Sequence, residues 1–146
     1  MAIGVYATQR NATNNQSTVD FQRDNIFMFQ NRFQEAVLVN KGATAVEMAT
    51  GMLVVRDTDT AGQVELAASG TLANVIGITF MNPVTLAQNE TSEINYAISG
   101  DIDVSLLELP NSVDLDTTVG AKALRDILTD LGFVLNNVTE TSKFDN

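Results

Sequence analysis

Ile94-Asn95-Tyr96-Ala97-Ile98-Ser99-Gly100-Asp101-Ile102-Asp103-Val104 is the stretch whose pattern decides the fold class. Ile94, Tyr96 and Ile98 fall on every second residue, and Ile102, Val104 and Leu106 resume the alternation beyond Ser99-Gly100-Asp101. A period of two is that of a strand with one buried face. Upstream, Val75-Ile76-Gly77-Ile78-Thr79-Phe80 is rich in β-branched residues, and its spacing predicts a strand with Ile76, Ile78 and Phe80 on one face. Gly77, inside that run, marks a bulge or a close backbone approach.

From Ala36 onward such runs recur about every 8 to 12 residues between Gly, Asn, Asp and Thr clusters, the signature of an all-β sandwich or barrel. Residues 36–40 and 45–48 flank Lys41-Gly42-Ala43-Thr44, which predicts a hairpin. A second hairpin is expected where Met52-Leu53-Val54-Val55 and Val64-Glu65-Leu66 flank residues 57–62, a polar turn ending in a glycine that can take positive φ. The exception to the period of two lies near 117–131. There Ala121, Leu124, Ile127, Leu128 and Leu131 follow helical spacing, Asp116 or Thr117 is placed to cap, and Gly132 stands at the expected C′ position. Phe133-Val134-Leu135 then reads as a last short strand, followed by a polar tail. The expectation is a mainly β fold, a small barrel-like domain with one amphipathic helix packed on it.

The chain divides near residue 35. Residues 1–35 carry three Arg and three acidic residues, whereas 36–146 carry five basic and fifteen acidic ones and hold the whole charge of −10. Thr8 to Asp20 is almost devoid of apolar residues and reads as an extended arm. Phe21, Phe27, Phe29 and Phe33 follow, four of the seven phenylalanines of the protein, with Ile26 and Met28 between them. An N-terminal arm over 1–35, polar and then Phe-rich, is thus expected ahead of a β domain over 36–146. Phe21, Ile26, Phe27, Phe29 and Phe33 are the candidate partner-binding residues, because aromatic side chains supply buried anchors at interfaces. The competing reading places them in the subunit's own core.

Composition narrows the chemistry. With 146 residues the chain fits one domain able to bury a core without disulfides. Eight Lys and Arg against eighteen Asp and Glu argue against nucleic acid or anionic lipid, since such affinity comes from neutralising phosphates. Without Cys or His there is no thiol nucleophile, no imidazole base and no common zinc ligand. Three Asp-x-Asp pairs, Asp57/Asp59, Asp101/Asp103 and Asp114/Asp116, lack the spacing of a calcium loop and read as solvated carboxylates at turns and strand faces. No catalytic, metal or cofactor residues are assigned. The first residues have no basic n-region and no long apolar run, and no stretch reaches the roughly 18 to 20 apolar residues of a bilayer span, so a soluble, cytoplasmically made product is expected.

Gly51-Met52-Leu53-Val54-Val55, Ala73-Asn74-Val75-Ile76-Gly77-Ile78 and the Ile94–Val104 stretch, in that order and spacing, resemble the head decoration (capsid cement) proteins of tailed bacteriophages. In that pattern the last stretch is a pair of strands broken at a glycine. Ala123-Leu124-Arg125-Asp126-Ile127-Leu128 with Leu131-Gly132-Phe133 is similar to the helix-to-strand closure of some members. The resemblance implies a small β-barrel or β-tulip protein, commonly a homotrimer, that binds the major capsid protein on the outside of the virion and braces the shell. A head-fibre, tail or baseplate component would share the β-rich character, but fibres carry longer repeats and no internal period is found here. A carbohydrate-binding β-module would want exposed Trp or Tyr; there is no Trp and there are only two Tyr.

Overall fold

A computed structural model describes residues 25–137. The polar arm up to Asp24, Phe21 within it, and the tail from residue 138 lie outside the described residues. Among the described residues the strands are β1 (Phe27–Val39), β2 (Val46–Met48), β3 (Leu53–Arg56), β4 (Gln63–Leu66), β5 (Val75–Phe80), β6 (Val84–Leu86), β7 (Thr91–Asp103), β8 (Thr118–Val119), β9 (Lys122–Ala123) and β10 (Phe133–Asn136), and there is one α-helix, α1 (Leu124–Leu131). The protein is mainly β, with a mixed six-stranded sheet ordered β1-β4-β3-β5-β7-β10 and a further β1–β7 ladder. That ladder returns the order to its start, so β1, β4, β3, β5 and β7 form a closed ring of hydrogen-bonded neighbours.

Two apolar layers follow from the ring. Leu38, Val54, Val64, Ile94 and Tyr96, with Ile76 packed on them, come from all five ring strands and fill its inside, and Met48 and Leu86 of the separate β2–β6 ladder join them. The other layer lies on the opposite sheet face, where Leu53, Val55, Val75, Ile78, Ala97 and Ile102 meet Leu124 and Leu128 of α1 and Phe133 of β10. Leu53, Val54 and Val55 are all buried. A strand covered on both faces needs no polar alternation, which is why this run is continuously apolar.

The second hairpin forms as expected, with Val54 opposite Leu66 and Arg56 opposite Val64, and Gly62 at φ +83°. The first does not. β2 pairs with β6, because both edges of β1 are already taken at its C-terminal end, by β4 through Val37 and Leu38 and by β7. Asn40 turns the chain away instead: its buried carboxamide donates to the Thr44 and Leu86 carbonyls at 2.9 and 2.8 Å and accepts from the Gly42 amide at 2.9 Å.

β7 corrects the reading of a strand pair broken at Gly100. It is one thirteen-residue strand, bonded to β1 along its length. Ile94, Tyr96 and Ile98 belong to the inner layer whereas Ile102 belongs to the outer one, so the alternation changes face across Gly100. Irregularities in the β1–β7 register at Phe27/Phe29, Phe29/Arg32 and Arg32/Phe33 mark the place. Each shift by one residue moves a strand's side chains to the other face. Gly100 sits at φ +124°, and a Cβ there would come within 2.6 Å of the Asn31 Cα. Gly77 is required likewise, since a Cβ would meet the Ala97 carbonyl oxygen at 2.3 Å. A register shift between Val54 and Val55 beside it puts Ile76 on the inner layer and Ile78 on the outer, so they do not share a face with each other as the spacing predicts.

The helix is shorter than 117–131. Thr118–Val119 and Lys122–Ala123 pair as a small antiparallel hairpin about Gly120, at φ +66°, and Ala121 is exposed. A left-handed glycine and flanking β-branched residues oppose helix there. α1 starts only at Leu124, where the Leu124 and Arg125 amides bond to the Thr117 and Leu115 carbonyls at 3.0 and 2.9 Å. It ends as expected at Gly132, φ +116°, whose amide returns to the Leu128 and Thr129 carbonyls. Phe133–Asn136 then runs parallel to Gly100–Asp103 of β7. Among the described residues no helix is long and apolar enough to cross a membrane.

Candidate functional site

β1 runs unbroken from Phe27 to Val39, so the aromatic segment enters the sheet as a strand and no break in the backbone falls at residue 35. Its side chains divide. Ile26 and Phe27 are 3% and 7% exposed and belong to the outer apolar layer, whereas Phe33 and Phe29 are 42% and 64% exposed. Phe29 has no ring contact among the described residues. Phe33 has two, to Phe27 at 5.2 Å between ring centroids and to Phe80 at 5.1 Å. Phe27 and Phe80 stand edge to face at 5.5 Å, which closes a triangle of rings. Such contacts are worth about 0.5–1.5 kcal/mol each beyond burial.

Phe80, at the end of β5 and 46% exposed, is a site residue that the sequence did not disclose. It lies 47 positions from Phe33 in the chain, and only the ladders join them: Phe33 is opposite Ala97, Ala97 is opposite Ile78, and Phe80 is opposite Asn95. Cross-strand partners share a face. Phe33, Glu35, Phe80 and Glu93 therefore lie on the outer face of the ring, the face that α1 covers at one end and leaves bare at the other.

Beside the rings lies a groove of about 860 Å³. It opens where β5 leaves β7 after Phe80, and the chain from Met81 to Val84 forms its far wall. Glu35 and Glu93 line it, and no Lys or Arg does. Glu35 is opposite Asn95 and Val37 is opposite Glu93, so the two carboxylates are diagonal neighbours, about 7–8 Å apart at their bases. Neither forms an ion pair among the described residues; the pairs there are Lys41 with Asp57 and Asp59, Lys122 with Asp130, and Arg125 with Asp116.

The Asp-x-Asp pairs turn out to be turn formers. Asp57, Asp103 and Asp114 each accept from the amide two residues on, at 3.0, 3.0 and 2.8 Å, which is the geometry that lets Asp close a turn on its own backbone. Asp57 and Asp103 are buried, so the reading of all three pairs as solvated carboxylates holds only in part. The Asp57 carboxyl is held below the usual range, first by the Asp59 amide and then by Lys41. Lys41 is raised, chiefly by its hydrogen bond to Asp59. Among the described residues no group of three or more acidic side chains is placed to hold a metal ion. Compared with known proteins, the chain matches no family model and no curated protein.

Proposed function

We propose that this protein is a structural docking protein that attaches to a large assembled surface through the bare aromatic face of its sheet. The observation that carries the reading is the Phe33–Phe80 pair, both rings about half exposed and seated on the buried Phe27 ring. A preorganised aromatic patch on a rigid sheet loses little freedom on binding, so more of its buried area is realised as affinity. The surface in question is the outside of a tailed-phage head: the partner is the major capsid protein, and the bound form is a homotrimer on the virion. The three stretches that resemble decoration proteins support this choice by their placement, since they fall on β3, β5 and β7, which are successive neighbours in one sheet.

Co-sedimentation with assembled heads of the phage that encodes the chain tests the reading. The full chain is expected to pellet with the heads, and the Phe33→Ser/Phe80→Ser double variant to remain in the supernatant while still folded at the assay temperature, with a lowered Tm. A parent chain that stays in the supernatant at every concentration refutes it.

A further inference from the structure

β7 is bonded to β1 along one edge, and its other edge is shared by two strands. β5 covers Asn95 to Ala97 and β10 covers Gly100 to Asp103, which leaves Thr91–Ile94 with no strand on that side among the described residues. An uncovered edge presents alternate backbone N–H and C=O groups in register for another strand. Ser92, Glu93 and Ile94 of this segment line the groove together with Glu35–Val37 of β1 and Phe80–Val84. The adjoining carboxylates of Glu35 and Glu93 are exposed, have no cation of the described residues beside them and lie next to the Phe33 and Phe80 rings. Carboxylates call for Lys or Arg, and ring faces add attraction for the same cations.

We propose that the groove takes an extended, basic segment of a partner protein, which adds as a strand to Thr91–Ile94 of β7 and places its Lys or Arg side chains between Glu35, Glu93 and the two exposed rings. This rests on the docking reading above and names the chemistry of its partner. Backbone bonds to β7 would fix the segment's register, and side chains at alternate positions would provide selectivity. The acidity of the chain, −10 overall, favours the encounter with such a segment at low salt.

The test uses the full chain and two labelled peptides, acetyl-(Val-Lys)3-amide and acetyl-(Val-Glu)3-amide, with binding read by fluorescence anisotropy. Saturable binding of the lysine peptide only is expected. It should weaken about tenfold in the Glu35→Gln/Glu93→Gln variant, the scale for two partly exposed ion pairs. Hydrogen exchange at the Thr91–Ile94 amides should slow in the complex. Equal binding of both peptides, no binding, or an unchanged affinity in the double variant overturns the proposal, and binding without slowed exchange overturns strand addition. Head co-sedimentation, run in parallel, reports separately on the docking reading: heads retained by a chain that ignores the lysine peptide would sink this inference alone.

Discussion

Alanine in place of each aromatic of β1 separates the core from the surface within one strand. Phe27 is 7% exposed and touches both other rings of the triangle. Removing a buried Phe ring costs about 3–5 kcal/mol, because the lost transfer energy is joined by that of the cavity left behind. For a chain of this length that corresponds to a fall in Tm of about 10–20 °C. Phe33, at 42% exposure, has lost somewhat more than half of its accessible surface to the fold, which scales the full burial of a Phe down to about 1 kcal/mol, and its two ring contacts add about 0.5–1.5 kcal/mol each. Phe29, at 64% exposure and without ring contacts, is expected to stay within about 0.5 kcal/mol of the parent. Thermal and urea melts of the three variants give the order Phe27→Ala lowest, then Phe33→Ala, with Phe29→Ala at the parent value. Head or peptide binding should show a different order, with Phe33→Ala the most affected among variants that remain folded. A Phe27→Ala protein that melts within about 3 °C of the parent would refute the assignment of that ring to the core.

Two further outcomes follow from single contacts. Gly77→Ala drives a Cβ to within 2.3 Å of the Ala97 carbonyl oxygen at the Ile78–Ala97 end of the β5–β7 ladder, and should cost about 1–3 kcal/mol or more, read as a lower urea midpoint; a neutral Gly77→Ala would refute the close approach. For Asp57, whose carboxyl is held below its ordinary value of 3.8, the contribution to stability is present above that value and is lost as the pH falls through the lower folded-state value. The gap in urea midpoint between parent and Asp57→Asn should therefore be widest near neutral pH and narrow as the pH is taken below 3.8; a gap that does not change with pH would show that the carboxylate's charge plays no part.

Some of this protein can be read directly from its residues. The β class, the β3–β4 hairpin, the tight place at Gly77, the end of α1 at Gly132 and the return strand after it all depend on neighbours a few positions away, and local spacing and turn chemistry record such relations. The acidic, Cys-free and His-free composition is likewise legible at once. The partners of each strand are not. β1 pairs with β7 and β4, and β2 with β6, because edges become occupied in three dimensions, a condition that no stretch of chain carries alone. The same holds for the faces: bulges at Gly77 and Gly100 switch which side an apolar residue meets, so an unbroken period of two concealed two layers. The aromatic segment shows the difference most plainly. Its concentration of Phe was evident in the sequence, but that Phe27 is buried, that Phe33 stays half open and that Phe80 joins them was decided by the ladders that bring β1 and β5 to opposite edges of β7.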